Sequence, residues 1–321
     1  MKMVNQKCPT ITDYSPKNDH FITDVMNGLS NNPKKLAAKY LYDELGSELF
    51  EKITTLEEYY QTRTEWDILN DSKVAISKLI GENANLIELG SGSSTKTKVL
   101  LEENNLNSYI PIDISKTMLR NTVEQLQNIY PKLNIYGIVA DYTKLFSLPT
   151  LSGHKKVIFF PGSTIGNFEP FEAAIFLRQL SAILKKGDGL LIGVDLKKDT
   201  DIIEKAYNDE QGITAAFNKN LLTRINRELH TDFHLENFSH HAFYNTERSR
   251  IEMHLISKVN QTIQILDQQI KFAKDESIHT ENSYKYSIHS FQKLCLTCRF
   301  KPIEVFVDKK NWFSVHYLEV I

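Results

Sequence analysis

From Asn85 onward the chain repeats one grammar, a short apolar run closed by Gly, Pro, Asp or Ser and then a longer stretch with helical spacing. Such alternation means βαβ units and a parallel sheet, since each strand must cross over a helix before the next can pair beside it. Strands are expected at Leu86–Leu89, Tyr109–Asp113, Asn134–Val139, Lys156–Phe160 and Leu190–Val194, with helices starting near Ser94, Lys116 and Pro170. The stretch FEAAIFLRQLSAILKKGDG is expected to carry Phe171, Ile175, Leu180 and Leu184 on one face. Lys185 and Lys186 then fall in its last turn and Gly187 stops it, as suits a helix C-terminus.

The flanking segments read differently. From Asp19 to Ile80 the apolar spacing is helical, broken at Gly46, and the run ending Glu58-Tyr59-Tyr60-Gln61 reads as an exposed polar aromatic loop able to close over a pocket. Residues 197–287 mix a helical stretch with alternating segments, Ile251–Ile256 and Gln261–Ile270, which argue for antiparallel strands. Phe291–Cys298 reads as a last helix, and Ile303–Val307 and Phe313–Ile321 as strands that return to the sheet. The expected fold is therefore α/β, a doubly wound sheet with a split second domain of N-terminal helices plus an α+β insertion. Its parts are 1–80, the helical part of a substrate domain, and 81–196, a cofactor domain; 197–287 completes the substrate domain and 288–321 returns to the cofactor domain.

Composition narrows the partners. At 321 residues, 41% apolar and 24% charged, the chain has material for a real core, and disorder over most of it is excluded. A net charge of −2 gives no basic footprint for phosphate backbones, so nucleic acid is not expected and a small neutral or zwitterionic partner fits better. The opening MKMVNQKCPTITDYSPKNDH has no apolar core of a signal peptide, and no run reaches the ~18–20 apolar residues of a spanning helix. Cys8, Cys295 and Cys298 are too few for a disulfide framework. A cytoplasmic protein with no membrane partner is expected, acting as a monomer.

The strongest chemical signal is Leu86-Ile87-Glu88-Leu89-Gly90-Ser91-Gly92-Ser93-Ser94-Thr95. A strand that runs into Gly-x-Gly and then a helix lets backbone approach a nucleotide-type cofactor. Thr95 stands where a dinucleotide fingerprint needs a third small residue, and Glu88 beside the turn would repel a pyrophosphate but attract a sulfonium, so S-adenosylmethionine is expected over NAD. Asp113, 21 residues after Gly92, can accept from ribose hydroxyls, and Asp141 can accept from an adenine amino group. At the fourth strand end, Phe159-Phe160-Pro161-Gly162-Ser163-Thr164-Ile165-Gly166-Asn167 brings the uncharged amide of Asn167 to the reacting edge, unless the segment is only a turn before a helix.

These residues belong to a longer pattern. Lys39-Tyr40-Leu41-Tyr42-Asp43 with Gly46-Ser47-Glu48-Leu49-Phe50, Glu58-Tyr59-Tyr60 with Thr62-Arg63-Thr64-Glu65, Ala206-Tyr207-Asn208-Asp209, Thr214-Ala215-Ala216-Phe217-Asn218, Arg250-Ile251-Glu252-Met253 and Thr280-Glu281-Asn282-Ser283 followed by Lys285 join the two motifs above. Over nearly all of the chain from about residue 20, the sequence resembles the L-histidine Nα-methyltransferases of ergothioneine biosynthesis, which make hercynine. The resemblance implies a class I (Rossmann-like) methyltransferase fold. It implies Tyr42, Gly90, Lys96, Asp113 and Asp141 as S-adenosylmethionine ligands, to which the turn adds Glu88 and Gly92. It also implies Tyr59, Asn167 and Tyr207 around the substrate amine, with Tyr59 and Asn167 as the catalytic pair. Glu281 and Ser283 would grip the imidazole, whose one donor and one acceptor suit a carboxylate and a hydroxyl. With Met253 they favour histidine over a tryptophan derivative, the alternative substrate on the same fold. Two departures, Pro161 for an aliphatic residue and Asn282 for an apolar one, can shift the pocket. The implied reaction is an in-line displacement with neither metal nor covalent intermediate.

Competing readings are a protein that binds S-adenosylmethionine without catalysis and an NAD-dependent oxidoreductase. Cys295-Leu296-Thr297-Cys298 reads as structural thiols. His230 and His234 have helical i,i+4 spacing, with His240 and His241 close behind, but no H-E-x-x-H frame surrounds them and no metal site is assigned.

Overall fold

The computed structural model of the chain describes residues 9–14, 19–144, 148, 149, 151 and 154–321. Cys8 lies outside them. In chain order the elements begin with β1 (Thr10–Asp13), α1 (Asp19–Ser30), β2 (Lys34–Lys35), α2 (Glu44–Ile53), α3 (Tyr60–Asp71) and α4 (Lys73–Ile80). There follow β3 (Asn85–Leu89), α5 (Thr95–Glu103), β4 (Ser108–Asp113), α6 (Lys116–Ile129), β5 (Asn134–Val139), β6 (Lys156–Phe160), α7 (Pro170–Ile183) and β7 (Gly189–Asp195). Then come α8 (Thr200–Lys205), α9 (Ile213–Leu229), β8 (Phe238–Asn245), β9 (Arg250–Ser257), β10 (Gln261–Ile265), β11 (Gln268–Phe272) and β12 (Ser277–Tyr284). The chain closes with α10 (Ile288–Leu296), β13 (Phe300–Val307) and β14 (Phe313–Val320).

It divides into two compact units, the first made of the described residues of Met1–Ser15 with Gln61–Lys197 and Lys285–Ile321, the second of Pro16–Tyr60 and Lys198–Tyr284. In the first, one sheet has the order β1-β5-β4-β3-β6-β7-β14-β13. Strands from β1 to β7 pair in parallel, and β14 runs antiparallel to both β7 and β13. Winding proceeds one way from β3 through β4 to β5 and the other way from β6 to β7, so the topological switch lies between β3 and β6.

Alternation along each strand feeds two cores. Leu86, Tyr109, Val157 and Phe159 pack with Ile68 and Leu69 of α3, Ile76 of α4, Leu100 of α5 and Val123 of α6. Ile87, Ile110, Ile158 and Phe160 pack with Phe176 and Leu177 of α7 and Phe291 and Cys295 of α10. Parallel strands covered on both faces must read as unbroken apolar runs, which is why they were legible in the sequence.

Several expectations change. On α7 the buried face is Ala173, Phe176, Leu177 and Leu180, whereas Phe171 is 67% and Ile175 48% exposed. The helix stops at Ile183, ahead of Lys185 and Lys186. Residues 1–80 are not one helical part: β1 is the edge strand of the first unit's sheet, and α3 and α4 pack in that unit. The first unit loses the chain after Lys197 and regains it at Lys285, where Leu196 bridges Tyr286 and the Lys285 ammonium meets the Asp195 carboxylate at 2.7 Å, both side chains wholly buried.

In the second unit a sheet of order β2-β12-β9-β8 is antiparallel except where β2 joins β12. Gln261–Ile270, expected as one alternating segment, folds as the β10–β11 hairpin. Gly46 does not break a helix but lies in the first turn of α2, where a Cβ would stand 1.7 Å from the carbonyl oxygen of Leu41. Asp43 caps α2 by accepting from the Gly46 N–H, and it also receives Asn220 at 2.6 Å and Arg227 at 2.7 Å, tying α2 to α9. No helix among the described residues is long and apolar enough to cross a membrane.

Candidate active site

The glycine turn leaves β3 with Gly90 at φ +69° and Gly92 at φ +50°, both in the left-handed region that a side chain would disfavour. Its path is stitched to the end of β4: the Gly90 N–H donates to the Ile112 carbonyl at 2.8 Å and the Gly92 N–H to the Asp113 carboxylate at 2.8 Å. Asp113 also accepts from the Ser115 N–H, so this carboxylate is held at the strand end. Asp141, 8% exposed after β5, accepts the Thr143 N–H and hydroxyl. Tyr142 stands beside the turn, with a ring carbon 3.6 Å from where a Gly90 Cβ would be.

Glu88 is not at the ligand face of this turn. It is 1% exposed, and its carboxylate accepts the hydroxyls of Thr97 at 2.5 Å, Ser94 at 3.4 Å and Tyr109. Burial pushes its pKa up to about 7, against the stabilising hydroxyls. The electrostatic case against a pyrophosphate therefore moves to another pair. The Lys96 ammonium donates to Glu65 at 2.5 Å, and Glu65 is wholly buried. The same carboxylate accepts the Gly162 N–H at 2.9 Å, and a Cβ on Gly193 would stand 2.0 Å from its oxygen. Lys96, in the first turn of α5, is thus already paired with a carboxylate of the protein. Glycines for close approach, carboxylates for hydroxyl and amino donors and a neutralised lysine fit S-adenosylmethionine. Asn167 ends the 3-10 turn Thr164–Asn167 after β6, half-buried, with its amide unengaged among the described residues. Pro161 closes β6, and its carbonyl accepts the Thr164 hydroxyl at 3.0 Å.

In the second unit the other expected residues gather. Tyr42 meets Phe50 and Phe217 edge to face, each at 5.4 Å, and Tyr59 lies 6.2 Å from both Phe50 and Tyr207. The Tyr207 and Ser283 hydroxyls are 2.8 Å apart. Across the sheet Glu281 of β12 is in register with Met253 of β9, and Ser283 follows two residues on, hence on the same face. Asn282, in register with Glu252, is on the opposite face from the two expected imidazole contacts. Tyr42, expected among the cofactor ligands, sits in this aromatic cluster. The tyrosine pair is not an exposed loop: Tyr59 is 8%, Tyr60 3% and Gln61 2% exposed, and Lys198 donates to the Tyr60 hydroxyl at 2.6 Å.

Glu65, Phe50 and Phe217 carry no signal of their own in the sequence; what marks them is contact with distant residues, which spacing does not encode. Cys295 and Cys298 are free thiols in the core, and burial raises the Cys295 thiol. His230 and His234 share no helix face, since His230 ends α9 in the left-handed region and His234 lies beyond it.

A switch point that carries this turn and these carboxylates, in a sheet ending in an antiparallel β7-β14-β13 set, defines a class I S-adenosylmethionine-dependent methyltransferase. Residues 21–320 match the family described as histidine-specific methyltransferase, SAM-dependent, and the chain belongs to that family. It is 41% identical to the histidine N-alpha-methyltransferase of Mycolicibacterium smegmatis over 82% of this chain and 83% of that one. It is 33% identical to ergothioneine biosynthesis protein 1 of Neurospora crassa over 77% of this chain and 30% of that longer protein. A solved S-adenosylmethionine-dependent methyltransferase from Clostridium acetobutylicum aligns with 86% of this chain and 96% of its own at 11% identity and a TM-score of 0.46.

Proposed function

We propose that the chain transfers methyl groups from S-adenosylmethionine to the α-amino group of L-histidine, up to the trimethylated betaine hercynine, as a step of ergothioneine biosynthesis. The observation that carries this reading is the row formed by Met253, Glu281 and Ser283 on one sheet face, with the Tyr207 hydroxyl on Ser283. A carboxylate accepts the imidazole N–H, a hydroxyl donates to the other ring nitrogen, and an indole would leave that second group unpaired. The names of the similar proteins support the same substrate.

Asp113 and Asp141 would hold the ribose and adenine, Gly90 and Gly92 would admit the cofactor's closely packed edge, and Lys96 would donate to its carboxylate. Glu88 would brace the turn from beneath. When bound, the cofactor supplies an electrophilic methyl on sulfur and departs as S-adenosylhomocysteine. Asn167, Tyr59 and Tyr207 would orient the amine so that its lone pair lies in line with the methyl, a positioning role that needs no covalent intermediate. The hydroxyl of Tyr59, which both donates and accepts, is the group that can pass on the amine's proton.

Steady-state kinetics test the grip. Glu281→Gln and Ser283→Ala should each raise KM for histidine about tenfold or more, the cost of an unpaired buried polar group, with S-adenosylmethionine affinity unchanged. An unchanged KM for histidine in both variants would refute the assignment.

A further inference from the structure

The other face of the second unit's sheet carries a cluster that methyl transfer does not use. His241 of β8 is in register with His254 of β9, and His254 with His279 of β12. Side chains alternate along a strand, so Glu252 and His254 lie on the face opposite Met253. One ligand atom from each of Glu252, His254 and His279 lies within 4.8 Å of the others.

The geometry points to a binding site for a late first-row divalent cation, of which Zn²⁺ is the test case, with Glu252, His254 and His279 as protein ligands and water completing the shell. Three features beyond proximity support it. First, the Glu252 Oε2 and the His254 Nε2 are 3.2 Å apart, and the ligand–ligand edge of a tetrahedral zinc with bonds of about 2.0–2.1 Å is roughly 3.3 Å. A cation can replace the proton they share without spreading them. Second, the His279 Nε2 lies 3.1 Å from the Glu281 carbonyl, which only accepts, so the proton is on Nε2 and the lone pair on Nδ1. A backbone carbonyl fixing the far nitrogen is the usual support for a metal-ligating imidazole. Third, Arg250 and Asn245 both engage Oε1 of Glu252, holding the carboxylate so that Oε2 turns to the imidazoles.

The two rings stack with centroids 4.8 Å apart and planes at 12°, so convergence on one ion needs a rotation about their soft terminal torsions. Two nitrogen donors select zinc, nickel or copper over calcium or magnesium. The guanidinium of Arg250 keeps the affinity modest. His230, His234 and the Cys295–Cys298 pair contribute nothing to this cluster.

The test uses the full chain without a histidine tag. Competition with a chromogenic chelator should show one equivalent of Zn²⁺ per chain, and His254→Gln and His279→Gln should each weaken it by at least about tenfold. The double variant His230→Gln, His234→Gln should leave it unchanged. A second measurement needs no variant: Zn²⁺ should protect His254 and His279 of the unmodified chain from carbethoxylation, read by peptide mass spectrometry and reversed by chelator. Absence of stoichiometric binding, undiminished binding in the His254 and His279 variants, or protection falling only on other histidines would overturn the site.

Discussion

Glu88 shows how much a single buried residue departs from its sequence neighbourhood. Its carboxyl is raised to about 7 in the fold from an ordinary 4.5, chiefly by burial. Between those values the native state holds a proton that the unfolded chain has lost, so Glu88 lowers stability progressively as pH rises through that window. Comparing denaturation of wild type and Glu88→Gln from pH 4.5 to 7.5 should show the wild type losing on the order of 3 kcal/mol relative to the variant, levelling off above 7. A difference independent of pH would contradict the assignment. At the same scale, Glu65→Gln strips Lys96 of its counter-charge and should destabilise the chain by about 3 kcal/mol in urea denaturation. Glu281 and Ser283 were reached through the family resemblance alone, since no strand was expected over Ser277–Tyr284, the residues that form β12. The role of Glu65 was not legible, because its partners Lys96 and Gly162 are 31 and 97 positions away.

Elements were legible in proportion to how fully they are buried. β5 and β6 fall where the apolar runs put them, at Asn134–Val139 and Lys156–Phe160, because both faces of each are covered. The face of α7 was misread, since Phe171 and Ile175 satisfy helical spacing as well as Phe176 and Leu177 do, and only the sheet beneath decides between them. The metal-ligand cluster was invisible for a related reason: Glu252, His254 and His279 meet through cross-strand register and a bulge between His279 and Glu281, while the sequence drew attention to the histidines of the α9 end. Within β7, a Gly193→Ala methyl would stand 2.0 Å from Glu65 and 3.0 Å from the ring of Phe313. Overpacking of a buried strand should cost about 1–3 kcal/mol, read as a lowered Tm, and Glu65→Ala should relieve part of it. An unshifted Tm would show that β7 yields more than this packing allows.

For the whole molecule, the path of the chain matters most, since the second unit is inserted into the first at two points, after Ser15 and after Lys197. The Asp195–Lys285 pair fastens the place where the chain leaves and returns. Lys285→Met leaves the Asp195 charge buried without its partner and should cost about 3–5 kcal/mol in denaturant unfolding; a loss within experimental error would contradict that role. The central claim, a methyltransferase that reads the imidazole of free histidine, is tested most directly by mass spectrometry of the purified chain incubated with S-adenosylmethionine and a panel of free amino acids that includes histidine and tryptophan. Successive methylation of histidine alone, ending at the trimethylated form with S-adenosylhomocysteine released at each step, is the result expected. Intact S-adenosylmethionine binding with no methylated histidine, or preferential methylation of tryptophan, would contradict it.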